Sequence, residues 1–204
     1  MAIPTPPSKV SPDKRRTSPA PDIRMIVGLG NPGEAYQKTY HNAGKLAIAY
    51  IRAHLPSSWT IYKEEQTPSG KHFSFWTCSR QEHMPPLVFV QPDVFMNESG
   101  MAVDEALRYF TCSPDQLMVV HDDSDMNIGT SKFSFDQRSG GHRGIESIST
   151  VIGTNAFYRF KIGIRPPDEA HRKKAEAFVL AAISATDRAT LEHIDQKLLE
   201  MLSR

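Results

Sequence analysis

A single α/β domain is what this sequence predicts, with a mixed, mostly parallel sheet flanked by helices in three layers. Three observations carry the expectation. Short, fully apolar runs at 25–27, 87–90 and 117–120 have the character of strands buried on both faces. They alternate with stretches whose apolar residues recur at helical spacing. Each run is followed by a polar or turn-rich stretch, and in parallel sheets the carboxyl ends of strands form the ligand crevice.

Taken in order, 1–23 comes first. It holds Pro4, Pro6, Pro7, Pro12, Pro19 and Pro21 among Ser, Thr and Lys. Such a segment buries too little apolar surface to offset its ordering entropy, so a disordered tail is expected, with the domain running 24–204. Strand one is read at 25–29. A helix follows at 44–55, with Ala47, Ile48, Ile51 and Leu55 on one face. Strands at 60–64 and 71–78 flank a turn at Pro68, Ser69 and Gly70. A central strand at 87–90 leads to a helix at 101–110, built on Val103, Ala106, Leu107 and Phe110. Another apolar strand lies at 117–120, and an alternating one at 130–135. A polar loop spans 136–144, then a short helix at 145–152 and a strand at 159–164. The chain ends in an amphipathic helix at 186–202, with Leu191, Ile194, Leu198 and Met201 on one stripe.

Composition excludes several classes. A hydrophobic content of 39% supports a core. No apolar run approaches the roughly 18 residues of a membrane helix, and no secretory-type segment is present. The two cysteines, Cys78 and Cys112, form neither a metal spacing nor a disulfide framework, and read as buried reduced thiols. A cytoplasmic protein is expected. A mitochondrial presequence would be an amphipathic helix, which the N-terminal prolines oppose. Charge is uneven. The net charge is +1, yet 131–174 holds nine basic and four acidic residues. Such a segment suits a polyanion docking surface, or is a scatter of solvated side chains.

Four polar sets stand at or near strand ends. Asn31 and His41 follow strand one. Pro92, Phe95, Met96, Asn97 and Gly100 follow the strand at 87–90. His121, Asp122, Asp123 and Asp125 follow the strand at 117–120. Gly140, Gly141, His142, Arg143 and Gly144 lie in the polar loop. Gly28, Gly30 and Gly33 match the dinucleotide fingerprint, but Pro32 interrupts it, the helix starts late, and the expected acidic residue is missing. These glycines are read as turn residues instead. His41 could act as general base on water, with Asp122 fixing its tautomer; taken without the other sets it reads rather as an inert helix-start residue. Asn31 and Asn97 could hold a peptide-like group or an oxyanion; Asn97 could also just end a turn. Met96 and Phe95 taken alone read as core. The acidic cluster lacks the calcium-loop pattern, so no metal is expected.

Together, these sets are recognisable. Val27-Gly28-Leu29-Gly30-Asn31-Pro32-Gly33, Tyr36, Thr39 and His41-Asn42-Ala43-Gly44 are followed by Pro92, Phe95-Met96-Asn97, Ser99-Gly100, His121-Asp122 and Asp125. Gly140-Gly141-His142, Gly144 and Phe160-Lys161-Ile162-Gly163-Ile164 complete the set. From about residue 25 onward the chain resembles the bacterial-type peptidyl-tRNA hydrolase family. The resemblance implies a cofactor-free enzyme, expected to be monomeric, that cleaves the ester between a peptide and tRNA. It implies that His41 activates water, that Asp122 orients His41, and that Asn31 and Asn97 hold the peptide and developing charge. Tyr36 and Met96 would border the substrate, with His142 and Arg143 on a flap over the cleft. Lys132, Arg138, Arg159 and Lys161 would meet tRNA phosphates. Two departures stand out: Arg143 occupies a position where the family usually has Asn, and the flap sequence Asp136-Gln137-Arg138-Ser139 is poor in glycine. A rival reading is a non-catalytic RNA-binding protein on the same fold.

Overall fold

The computed structural model describes residues 22–80, 85–166 and 178–203. The expected tail at 1–23 and the basic residues Arg172, Lys173 and Lys174 fall almost wholly outside them. Strand β1 (Met25–Gly28) leads to α1 (Ala43–Ala53), then β2 (Thr60–Glu65), β3 (Phe73–Ser79) and β4 (Leu87–Pro92). Helix α2 (Ser99–Tyr109) precedes β5 (Leu117–Asn127) and β6 (Ser131–Phe135). Helix α3 (Arg143–Ile152), β7 (Tyr158–Arg165) and α4 (Ala185–Leu202) complete the chain. The strands form one sheet in the order β2-β3-β4-β1-β5-β7-β6. Its centre, β4-β1-β5-β7, is parallel. The margins are antiparallel, with β3 and β2 on one side and β6 on the other.

The apolar runs sit where both sheet faces are covered, which is why they lack alternation. Ile26, Met118, Val120, Phe160 and Ile162 pack beneath α1 and α4. Met25, Val27, Val88, Leu117 and Val119 pack beneath α2 and α3. Helix α1 presents Ala47, Ile48 and Ile51 to the first layer. Helix α3 stops at Gly153, whose φ of 72° supplies the left-handed turn common at helix ends. Cys78 is buried and Cys112 half-buried, both free. No helix among the described residues is long and apolar enough to cross a membrane.

Two expectations need correction. The polar residues 121–125 do not follow a strand; β5 continues through them to Asn127. Its β1 neighbour stops with Gly28 opposite Val120, whereas pairing with β7 continues through His121, Asp122 and Asp123. That step between neighbours opens the crevice. The glycines of the first loop also divide their work. Only Gly33 takes a positive φ, 91°. Gly28 and Gly30 serve close packing: a Cβ on Gly28 would lie 2.5 Å from Ile48 Cγ1, and one on Gly30 2.9 Å from Asn42 Cγ.

Candidate active site

The crevice lies at the carboxyl ends of β1, β4 and β5, where connections leave toward opposite faces of the sheet. It is a cleft of about 560 Å³, and Asn31, His41, Met96, Asn97, Asp122, His142 and Arg143 all line it. The sequence-predicted catalytic set therefore converges. Alternation along β5 puts Asp122 on the same face as Met118 and Val120, toward α1. His41 stands in the 3₁₀ turn that opens α1. Gly44 allows the close approach, since a Cβ there would sit 2.2 Å from the Val120 carbonyl oxygen. The His41 backbone is held from the other side by its N–H donating to Val179 O at 2.8 Å.

Asp122 is 2% exposed and takes two imidazoles. His41 Nδ1 lies 2.9 Å from Oδ1 and 3.0 Å from Oδ2, and His142 Nε2 lies 2.9 Å from Oδ1. Burial by itself would raise this carboxyl. The charge and hydrogen bond of His142, then the bond from His41, outweigh it and hold Asp122 well below the ordinary carboxylate range. An ionised carboxylate only accepts, so both histidines donate to it. His41 is thereby left with an Nε2 that has no hydrogen bond to any described residue. His142 Nδ1 caps α3 by accepting the Ile145 N–H at 3.3 Å, which again places the proton on Nε2.

His41, Asp122 and His142 bring three ligand atoms within 4.8 Å of one another, a spacing compatible with a metal ion. The cap argues against that use. A metal on His142 Nε2 would move the proton to Nδ1, where it would face the Ile145 N–H donor. The three side chains suit a shared proton network better than a cation.

The asparagines are oriented by their neighbours. Asn31 is 8% exposed, and its Oδ1 accepts the Met96 N–H at 2.9 Å. Its Nδ2 is the polar atom that remains for a substrate. Asn42 holds the Asn31 backbone at both ends, accepting N–H at 2.8 Å and donating to O at 3.0 Å. Asn97 is exposed on the facing turn Met96–Glu98. Met96, buried between them, forms cleft wall. Tyr36 does not line the cleft; it packs edge-on against Phe95, which does, at 6.2 Å between centroids.

The basic residues separate. Lys132 and Arg138 are exposed, as is Arg143 at the first position of α3. Lys161 is half-buried and paired with Asp123 at 3.0 Å. Arg159 is wholly buried, so the expectation that it contacts phosphate fails. Its place on β7 faces the α3 layer, where Arg138 O accepts from it at 2.7 Å.

Four residues contribute to the site without a role of their own in the sequence: Asn42, His121, Val179 and Leu180. Asn42 stands in the sequence only inside the His41–Gly44 motif, 11 residues after the Asn31 that it holds. His121 is 1% exposed; its Nδ1 donates to the Asp122 carbonyl at 2.7 Å, and burial followed by His142 pushes it well below the ordinary histidine value. Val179 and Leu180 close the cleft from a segment more than a hundred residues after His41, with no local signal.

Comparison with known proteins agrees with this geometry. The peptidyl-tRNA hydrolase family model matches residues 25–204. A peptidyl-tRNA hydrolase of Lactobacillus gasseri is 37% identical over 147 residues, covering 72% of this chain and 75% of its own. That of Methylococcus capsulatus is 35% identical over 181 residues, covering 89% and 91%. The crystal structure of peptidyl-tRNA hydrolase from Acinetobacter baumannii superimposes with a TM-score of 0.71 at 26% identity, covering 90% of this chain and 88% of that one. With the match running through every strand and helix of the domain, the chain belongs to the peptidyl-tRNA hydrolase family.

Proposed function

We propose that this protein hydrolyses the ester linking a peptide to the 3′ end of tRNA, using water activated by His41 and no metal. The observation that carries the reading is the buried Asp122 beneath His41 in an open cleft. With Nδ1–H given to Asp122, Nε2 is the base. Water bound to Nε2 attacks the ester carbonyl carbon, and its proton passes to Nε2. Asp122 stabilises the resulting imidazolium. Asn31 Nδ2 and the Asn97 amide are donors for the oxygen on which charge develops. Collapse of the tetrahedral intermediate breaks the bond to the ribose oxygen, which takes the proton back from His41. The products are a peptide carboxylic acid and tRNA with its hydroxyl restored. The enzyme acts as a monomer, and we read its place of work as the cytoplasm, where peptidyl-tRNA forms.

The test is release of an N-acetylated amino acid from charged tRNA, with and without a chelator. Wild type releases it under both conditions, and His41→Ala falls by roughly 10²- to 10⁴-fold. Wild-type protein that binds tRNA without releasing the amino acid would overturn the reading in favour of an RNA-binding role.

A further inference from the structure

Arg159 is the largest wholly buried side chain in the described protein, and it forms no ion pair there. A cation in that position is costly, and burial pushes the guanidinium down to about 10 despite Asp136 nearby. Its contacts indicate what it does instead of binding phosphate. Nη1 donates to Arg138 O at 2.7 Å, and Nη2 to Asn155 Oδ1 at 3.4 Å. The guanidinium carbon lies 4.6 Å from the Phe157 ring centroid. Nε has no partner among the described residues.

These partners come from two loops. Arg138 lies in the loop that leads into α3, and Asn155 and Phe157 lie in the loop that leaves it. The planar fork of an arginine can grip both at once, which a point charge cannot. The loops touch each other through the Asp136 N–H, which donates to Phe157 O at 3.4 Å. From the gripped carbonyl of Arg138, a short turn leads to His142 and is closed by His142 N–H donating to Ser139 O at 3.2 Å. Gly140 and Gly141, with φ of 62° and 82°, make that turn. His142 then meets Asp122.

We propose that Arg159 is a positioning residue of the active site, its buried guanidinium clamping the two loops around α3 so that His142 stays set against Asp122. The inference rests on the hydrolase reading and adds to it a residue remote from the reacting atoms. It accounts for a buried cation whose desolvation no ion pair among the described residues offsets and whose hydrogen bonds go to the two loops.

The experiment compares Arg159→Met, Arg159→Lys, His142→Ala and the double variant Arg159→Met/His142→Ala. Each is measured by steady-state cleavage of N-acetylaminoacyl-tRNA and by thermal unfolding. Arg159→Met is expected to keep its unfolding midpoint and its KM while kcat falls roughly 10- to 100-fold, the scale on which a small displacement around the Asp122–His41 pair slows turnover. Arg159→Lys, which can still reach Arg138 O, recovers part of kcat. The double variant is no slower than His142→Ala, because the two act through one group. Unchanged kcat in Arg159→Met overturns the proposal. So does a double variant in which the losses multiply, or a lowered midpoint in both Arg159 variants that accounts for their lost activity. Hydrogen exchange separates this proposal from the functional reading. Faster exchange of the His142 and Ile145 amides in Arg159→Met supports the clamp even if wild type proves inactive, and unchanged exchange overturns it.

Discussion

Oδ1 of Asp122 accepts from both His41 and His142, so one atom sets the protonation pattern of two imidazoles. An asparagine there has one accepting oxygen and one donating nitrogen. With its NH₂ toward His41, the imidazole would have to accept at Nδ1, moving its own proton to Nε2 and removing the base. Asp122→Asn is therefore expected to lower kcat by roughly 10²- to 10⁴-fold with little change in KM or circular dichroism. Steady-state cleavage decides it, and a variant as fast as wild type would remove Asp122 from the mechanism. Residues of this kind were legible in the sequence. Asn31, His41, Asn97 and Asp122 are polar groups beside apolar strands, and that contrast marks a strand-end cleft. Arg159 is the exception, because neither its charge nor the resemblance that sets it among the phosphate contacts reports its burial. Its alternation with Tyr158 and Phe160 fixes which face of β7 it occupies, and depth on that face depends on what α3 and its loops cover. No local pattern encodes that covering.

Elements were legible where packing repeats along the chain and obscure where a neighbour decides. The apolar strands and the amphipathic helices appear within a few residues of their expected bounds. The extension of β5 does not follow from its own polar residues; it follows from the presence of β7 alongside. Helix α4 carries a similar surprise in Asp195, which lies among its buried apolar residues at 2% exposure. Its Oδ2 has no partner among the described residues, and burial raises its carboxyl to about 7, with Glu192 adding to the effect and Arg188 opposing it. The folded state thus holds this proton more tightly than the unfolded chain, whose value is 3.8. The contribution to stability is fully present below that value and is lost as pH rises through about 7. Complete loss is worth on the order of a few kcal/mol. Thermal midpoints should therefore lose this contribution progressively between about pH 4 and about pH 7 and level off above, and Asp195→Asn should flatten that fall. An equal fall in the variant would assign the pH dependence elsewhere.

For the whole molecule, the question is how tRNA is gripped by a chain of net charge +1. The basic segment at 131–174 suggested a docking surface, but the fold redistributes it. Arg159 is inside, and Lys161 and Arg165 are already engaged by Asp123 and Asp125 at 3.0 and 2.8 Å. Lys132 on β6 and Arg138 on the loop before α3 remain exposed on the described surface. A cation that meets a phosphate releases counterions, so it contributes to the salt dependence of binding as well as to its strength. A cation inside the protein contributes to neither. Lys132→Ala and Arg138→Ala should each weaken tRNA binding and reduce the slope of log K against log salt by about one. Arg159→Met should leave both affinity and slope unchanged while slowing turnover. Lys161→Ala should fall between, because a phosphate must first displace Asp123 from the ammonium. Fluorescence-based titration of labelled tRNA at several salt concentrations measures all four slopes. A lowered slope in Arg159→Met would mean that its guanidinium leaves the interior when tRNA binds, and would restore it to the phosphate-contacting set.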